Sequence, residues 1–490
     1  MGDLNFLLIL PVVCLASYGL LVMLLAAFLR ENSRALAVVT LIGLGMTGAS
    51  LVRLWGVRGL VGPQETASGM VHIDGFGLFF SMILLAVGVL SVLASASFLE
   101  REGADHGEFY ALMLFCLAGM FLMLHTTHLM MVLIGLEVFS LSLYVLTGLT
   151  RNRARSVEAA LKYFLLGAFS SGFILYGMAL LYGVAGSLDM SSIGAAAAAR
   201  PGPMLWIGMG LVLIGLAFKI AVVPFHQWVP DVYQGAPTNV TGFMAAATKT
   251  AAFAVLLRFL VGALGQHTEI WVPLITWLSI LTMTVANLVA LAQTNLKRLL
   301  AFSSIAHAGY LLIAVVCRPE AGDKGVGGVG AIVFYLTAYA FMTIGAFAVL
   351  GAVGRGDAEG ERGYELSDWA GLGWSRPILG VAMCLFLFSL AGIPPTGGFF
   401  GKYVIFQAAI ESERYLLAVV GVLNAAIATY YYLRIIVTMY MRERETDETS
   451  LAVSPATAAV MVVSVVAIIY LGIAPDGVLN MVRTLASSLI

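Results

Sequence analysis

Apolar runs of roughly 17 to 27 residues follow one another along the whole chain, separated by short polar or Pro/Gly-containing stretches. A helix needs ~20 such residues to cross a hydrocarbon core, so each run predicts a membrane helix and each break a loop. The runs fall near 5–29, 35–56, 74–98, 108–124, 128–149, 157–183, 203–223, 239–263, 271–293, 297–317, 327–352, 377–409, 416–441 and 453–474, fourteen in all. Asp3 precedes the first run and no basic stretch does, which argues for a first membrane helix and against a cleaved signal peptide. The expected fold is an all-α polytopic membrane protein.

Two runs carry proline inside them. Lys219-Ile-Ala-Val-Val-Pro224 leads into a second short stretch, and Ala391-Gly-Ile-Pro394-Pro395 interrupts the segment 377–409. Proline removes a backbone hydrogen bond, so helices 7 and 12 should be discontinuous within the membrane. Helix starts at 108, 128, 157 and 239 recur at 271, 297, 327 and 416, and the proline break at 224 recurs at 394, offsets of 163 to 177 residues. Five helices form each unit, an odd number, so the second copy should enter the bilayer with opposite polarity, as in the inverted repeats of many transporters. The expected organisation is an N-terminal three-helix segment (1–107), a first five-helix repeat (108–263), a second, inverted repeat (271–441) and a C-terminal helix (442–490).

Composition agrees: of 490 residues, 60% are hydrophobic and 11% charged, where a soluble domain carries about 25% charged residues. The net charge of −1 and the lack of a long basic tract leave no case for nucleic acid. Cys14, Cys116, Cys317 and Cys384 stand singly, without the spacing that holds zinc or an iron–sulfur cluster. With the N-terminus outside, 13 of 20 loop Arg/Lys residues fall on the cytoplasmic side, among them Arg34, Arg101, Lys297, Arg298 and Arg376, whereas Arg258 and six others fall outside. That bias predicts both termini on the outer side.

A charged side chain at the centre of a membrane helix costs ~2.5 to 3.5 kcal/mol, so Glu137, Lys162, Lys219, Lys249 and Lys402 need a reason to be there. A lysine in a low-dielectric core can be tuned toward neutrality and exchange a proton. Glu137 and Lys219 read as a coupled carboxylate and ammonium, or as a static salt bridge locking two helices. Lys162 is either a competitor for Glu137 or a snorkelling end-of-helix lysine. Lys249 lies mid-helix with no carboxylate near it in sequence, which snorkelling does not explain. His226, just past the first break, and His307, on a polar stripe of helix ten, suit a water-lined path, although a lone membrane histidine is also satisfied by one hydrogen bond. Lys402 follows the second break and would end a chain running Lys219, Lys249, His307, Lys402. Lys297 opens helix ten as an anchor or a relay member.

Other signals carry less. Gly43-Leu-Gly45-Met-Thr-Gly48 matches a dinucleotide fingerprint but has no preceding strand and reads as helix packing. His125 and His128 occupy a short external loop, too isolated for a metal. Arg53 and Arg434 snorkel or pair locally, and 355–374 reads as a solvated, charged cytoplasmic connection.

The strings Lys219-Ile-Ala-Val-Val-Pro-Phe-His-Gln-Trp-Val-Pro-Asp-Val-Tyr-Gln-Gly-Ala-Pro-Thr, Asn295-Leu-Lys-Arg-Leu-Leu-Ala-Phe-Ser-Ser-Ile-Ala-His-Ala-Gly-Tyr and Ala391-Gly-Ile-Pro-Pro-Thr-Gly-Gly-Phe-Phe-Gly-Lys closely resemble the subunit N family of bacterial NADH-quinone oxidoreductase, equivalent to subunit 2 of the mitochondrial and chloroplast enzymes. The resemblance spans the chain, and Pro230-Asp-Val-Tyr-Gln-Gly-Ala-Pro separates it from the sister subunits L and M. It implies an antiporter-like fold in a bacterial inner membrane, and the family's ion-pair and relay positions at Glu137, Lys219, Lys249 and Lys402, with Lys162, His226, Lys297 and His307 also on motif positions. It implies neighbours in the membrane arm (antiporter-like M, small K), surrounding lipid, and a share in an oxidoreductase whose NADH, FMN, iron–sulfur clusters and quinone chemistry sit on other subunits, with no cofactor here. Proton pumping driven by electron transfer is the implied function. A cation/proton antiporter subunit and a non-pumping scaffold are the rivals.

Overall fold

The computed structural model describes residues 5–29, 33–58, 64–67, 69–101, 106–317, 326–357, 360–443 and 453–486. Asp3, ahead of the first run, and Arg30, Arg318, Lys324 and Arg444, which are among the twenty loop charges counted from the sequence, lie outside the described residues. The N-terminal part holds α1 (Phe6–Phe28), α2 (Ser33–Arg58) and α3 (Gly75–Arg101). There follow α4 (Glu108–Leu124), α5 (Leu129–Thr147), α6 (Ala154–Ala185), the short α7 (Met190–Ala199), α8 (Pro203–Ile220), α9 (Trp228–Gly235) and α10 (Thr238–Leu257), the last running on into a π-helical turn at Arg258–Ala263. The second half comprises α11 (Thr268–Leu291), α12 (Leu296–Val315), α13 (Gly327–Val353), the one-turn α14 (Leu372–Ser375), α15 (Pro377–Ala391), α16 (Gly397–Glu411) and α17 (Tyr415–Met441), and α18 (Pro455–Ile473) and α19 (Asp476–Ala486) complete it.

Among the described residues, twelve helices are long and apolar enough to span a bilayer, or up to thirteen with a bent pair at α14–α15. Two of the fourteen expected segments fall short as single spans: α4 has 17 residues, and 377–409 is two 15-residue helices, α15 and α16. Helix starts are written in the sequence. Asn5, Asn295 and Ser454 accept hydrogen bonds from the first-turn amides of α1, α12 and α18, and Pro opens α8, α15 and α18 at a position whose amide would be unpaired anyway.

Both breaks close in the same way. The Val222 amide reaches back to the Ala217 carbonyl at 3.0 Å, and the Ile393 amide to Phe388 at 2.9 Å. Ala221 and Gly392 sit in the left-handed region between, at φ 64° and 85°. These are matching helix-terminating motifs, 171 residues apart in sequence. Glycine takes that conformation freely, whereas Ala221 adopts it at a cost of ~1 kcal/mol.

The chain's connections sort to two ends. At one end lie the hairpin 64–66/71–73, His125, the Leu188 carbonyl that receives the Leu129 amide, and Arg258. At the other lie Asp231, Lys297, the Leu296–Tyr364 and Leu366–Thr294 backbone bonds, and Trp374 against Tyr440. Helix α8 therefore runs from the first end to the second and α15 from the second to the first, antiparallel as an inverted pair requires.

α10, α12 and α13 are almost wholly buried, while α1, α6, α17 and α18 bury less than half of their surface and show Leu, Val and Phe outward. That is the distribution of a protein whose outer solvent is hydrocarbon. The chain is a multi-pass membrane protein.

Candidate proton-relay site

The innermost helices carry the polar side chains. Lys249, midway along α10 and 1% exposed, donates to the Ser304 hydroxyl at 2.6 Å and to the Ser304 carbonyl, with its ammonium 5.7 Å from the centre of the Tyr339 ring. Tyr339 also donates to the Ser304 hydroxyl, at 2.8 Å. One turn further along α12, His307 bonds the Tyr335 hydroxyl through Nδ1 and the Tyr432 hydroxyl through Nε2 at 3.2 Å. Its ring packs against Tyr339 and Tyr310 with centroids 5.2 and 5.9 Å apart. Lys402 Nζ lies 5.0 Å from the centre of the Tyr310 ring and donates to the Leu390 and Ala391 carbonyls at 3.0 and 2.8 Å. Those carbonyls end α15 at the break, where no following turn can use them. Lys249, His307 and Lys402 are thus joined through Ser304 and tyrosines into one buried row.

No carboxylate lies within 4 Å of Lys219, Lys249 or Lys402 among the described residues. Each amine is solvated by hydroxyls, carbonyls and ring faces instead. A paired carboxylate would fix the charge, whereas these partners place no counter-charge in contact with the amine.

The Glu137–Lys219 contact expected from sequence is not formed. Lys219, 2% exposed, donates to Ser140 at 2.9 Å and sits among the rings of Phe139, Tyr144 and Phe218. Glu137, one turn before Ser140 on α5, keeps a buried Oε1 with no hydrogen-bond partner among the described residues. Ser140 stands where the salt bridge was expected. No direct hydrogen bond joins Lys219 to Lys249 among the described residues.

At four further places the contacts correct an expectation or remove one of two left open. Lys162 does not compete for Glu137; it pairs with Glu158 at 2.7 Å and Asp231 at 2.8 Å, because its α6 face turns toward α9. Asp231 also takes Arg298 of α12 at 2.7 Å. Lys297 is no interfacial anchor: it is 1% exposed, donates to the Ala236 carbonyl at 2.7 Å and lies over the Tyr364 ring. Within the connection 355–374, the stretch around Tyr364–Trp369 is packed rather than free in solvent, since the Tyr364 and Leu366 backbone pairs with the start of α12 and Trp369 is fully buried. Finally, Arg258 is not an exposed loop charge, and His125, in the short connection between α4 and α5 as expected, is buried. Arg258 grips Asp74 at 2.7 and 2.8 Å and the Leu124 carbonyl at 2.9 Å, with His125 against Ser81 at 2.8 Å beside it. Burial raises the Asp74 carboxyl, but Arg258, the Gly77 amide and His72 outweigh it and hold it below the usual carboxylate range; burial pushes His125 down to about 4. Arg434 does pair locally, capping α11 through the Leu291 and Gln293 carbonyls. His226 is half-buried in the turn between α8 and α9.

Sequence reasoning missed Tyr310, Tyr335, Tyr339, Tyr432 and Ser304. The signal was there in part: Tyr335 and Tyr339 are four residues apart, and Ser303, Ser304 and His307 share one helical face. A cavity of about 490 Å³ beside the second break is lined by Ala391, Gly392, Lys402, Gln407 and Glu411, so Lys402 borders open volume. Among the described residues no group of three or more His, Cys, Asp or Glu could hold a metal ion.

Residues 126–428 match the family described as NADH:quinone oxidoreductase/Mrp antiporter, TM. The chain is 44% identical over 480 residues to NADH-quinone oxidoreductase subunit N of Trichlorobacter lovleyi, covering 97% of this chain and 96% of that one. Its fold superposes with TM-score 0.80 and 36% identity on a chain of respiratory complex I from Thermus thermophilus solved with bound aureothin, covering 97% of this chain and 99% of the other. A chain of the Mrp complex from Dietzia shares the fold at TM-score 0.85 and 23% identity, covering 99% of this chain and 97% of that one. With the buried row of amines, the paired breaks and these matches together, the chain belongs to the NADH:quinone oxidoreductase/Mrp antiporter family, and within it to the subunit N branch.

Proposed function

We propose that this chain translocates protons as a membrane-arm subunit of an NADH-quinone oxidoreductase, beside the antiporter-like subunit M and the small subunit K. NADH oxidation, FMN, the iron–sulfur clusters and quinone reduction belong to other subunits; this chain supplies the proton path and no redox group. The observation that carries the reading is the buried row Lys249, His307, Lys402, whose amines have hydroxyl, carbonyl and aromatic partners in place of carboxylates. Buried basic groups are costly to place in an apolar core, where apolar side chains of similar volume often serve stability as well or better.

Residues 108–263 form the uptake half and 271–441 the release half, with 1–107 and 442–490 flanking them. In a bacterial inner membrane, the basic-residue bias sets both termini in the periplasm and the Asp231–Lys297 end in the cytoplasm. Lys162, Lys297 and His226 lie toward that end and serve uptake. Lys219 takes up a proton, and Glu137 biases its charge through space rather than by contact. A conformational or electrostatic change driven by electron transfer shifts Glu137 relative to Lys219, lowers the affinity of the amine for its proton and sends that proton toward Lys249. Positive charge on Lys249 then disfavours charge further along the row, and Lys402 releases into the volume beside the second break.

The test is proton pumping by inverted membrane vesicles carrying Lys249→Met, with assembly followed on native gels and NADH oxidation by an artificial acceptor measured alongside. An assembled, NADH-oxidising complex that has lost pumping supports the relay. Normal pumping overturns it.

A further inference from the structure

A cleft of about 790 Å³ runs between α15 and α18 on the outside of the bundle. Leu385, Ala458, Met461 and Val465 line its length, and Ile378 and Val462 on its rim are 82% and 61% exposed. The α15 wall from Pro377 to Leu385 extends roughly 12 Å at 1.5 Å per residue, close to one leaflet's half of a ~30 Å hydrocarbon core.

One end of the cleft differs in kind. Ser375 and Arg376 close it, at the end of the bundle where α15 and α18 both begin. Arg376 is half-buried and its Nε is buried with no hydrogen-bond partner among the described residues. Two helix N-termini add positive dipole ends to that guanidinium, and no carboxylate is among the described lining residues. Positive potential at the bilayer surface over an apolar trough one leaflet deep is complementary to one chemistry, an anionic head on a long alkyl chain lying along the helices.

We propose that this cleft is a binding site for an acidic phospholipid, with its phosphate on Arg376 and an acyl chain between α15 and α18. The site lies outside the amine row and stands or falls without reference to proton transfer. A single cationic side chain at a membrane surface changes the occupancy of an anionic lipid about fivefold.

The purified, delipidated membrane complex containing this chain is titrated with phosphatidylglycerol or with phosphatidylethanolamine of the same acyl chains, and bound lipid is counted by native mass spectrometry. The wild type should retain one more phosphatidylglycerol than Arg376→Gln, whose binding weakens about fivefold. Arg376→Lys should recover most of it, and Ala458→Phe, which fills the trough, should weaken both lipids. A photocross-linker at position 462 should capture lipid. Equal lipid retention by the wild type and Arg376→Gln, or capture of a neighbouring subunit at position 462 in place of lipid, overturns the proposal.

Discussion

Two of the places where this protein buries positive charge solve the problem oppositely. At one end of the bundle Arg258 and Asp74, 4% and 5% exposed, meet through two short hydrogen bonds, with the Gly77 amide on the carboxylate and the Leu124 carbonyl on the guanidinium. In the middle, Lys249 and Lys402 are as deeply buried but meet only hydroxyls, carbonyls and tyrosine rings. A matched ion pair fixes its charge and ties α3, α4 and α10 together. An amine among dipoles is free to change charge. The first arrangement is a clamp, and the second leaves its amines without a counter-charge in contact, as the proposed proton path requires.

The sharpest way to break the comparison is to remove one partner from the clamp. Asp74→Ala strands Arg258 in the interior, and breaking a buried pair costs about 3–5 kcal/mol. The complex should assemble poorly and melt early, whereas Asp74→Ala with Arg258→Met should recover part of the loss. Denaturation of the detergent-solubilised complex measures both.

Lys402→Met and Lys249→Met should behave oppositely. Neither strands a partner charge, so assembly and melting should be close to wild type, while proton translocation falls by more than about tenfold. Vesicle acidification compared with NADH oxidation by an artificial acceptor separates the two effects. A melting loss as large as that of Asp74→Ala would make the lysines structural.

Tyr335→Phe and Tyr432→Phe remove one hydroxyl each from His307 and leave the ring packing. Each should lower pumping only a few fold, because one of the two imidazole contacts survives, and each should cost about 1 kcal/mol of stability.

The pH dependence sharpens the contrast further. With its carboxyl held below the ordinary value, Asp74 contributes its full stabilisation above about pH 4 and loses it only as pH falls through the lower, native value. Melting of the wild type relative to Asp74→Asn should therefore keep a constant gap from pH 7 to pH 5, and the gap should close in stronger acid. The smallest effect is expected at the partly exposed Lys162–Asp231–Arg298 network: Asp231→Asn should cost about 1 kcal/mol or less.

How much of this could be read in advance differs by residue. Lys219, Lys249 and Lys402 stood out because a charge inside an apolar run has few explanations, and the two proline breaks stood out because a missing amide interrupts any helix. The tyrosines of the row did not stand out, since an aromatic side chain in a membrane helix is unremarked until its hydroxyl is placed against something. Arg258 was misjudged for a related reason. It follows a run of twenty helical residues, as a loop charge would, and Asp74 lies 184 residues away along the chain. Glu137 and Lys219 were expected to touch because each is the other's obvious partner, but the register between α5 and α8 brings Ser140 to the amine instead.

The sequence by itself determined where the long apolar helices lie, where two of them break, and that Lys219, Lys249 and Lys402 sit inside apolar segments. Each of these follows from local physics: twenty apolar residues span a bilayer, proline lacks an amide, and an isolated charge in hydrocarbon is costly. Which groups touch was decided by the tertiary structure alone. Contacts between helices depend on rotation and register to within an ångström or two, a scale that apolar patterning, tolerant of any side chain that is merely hydrophobic, does not encode.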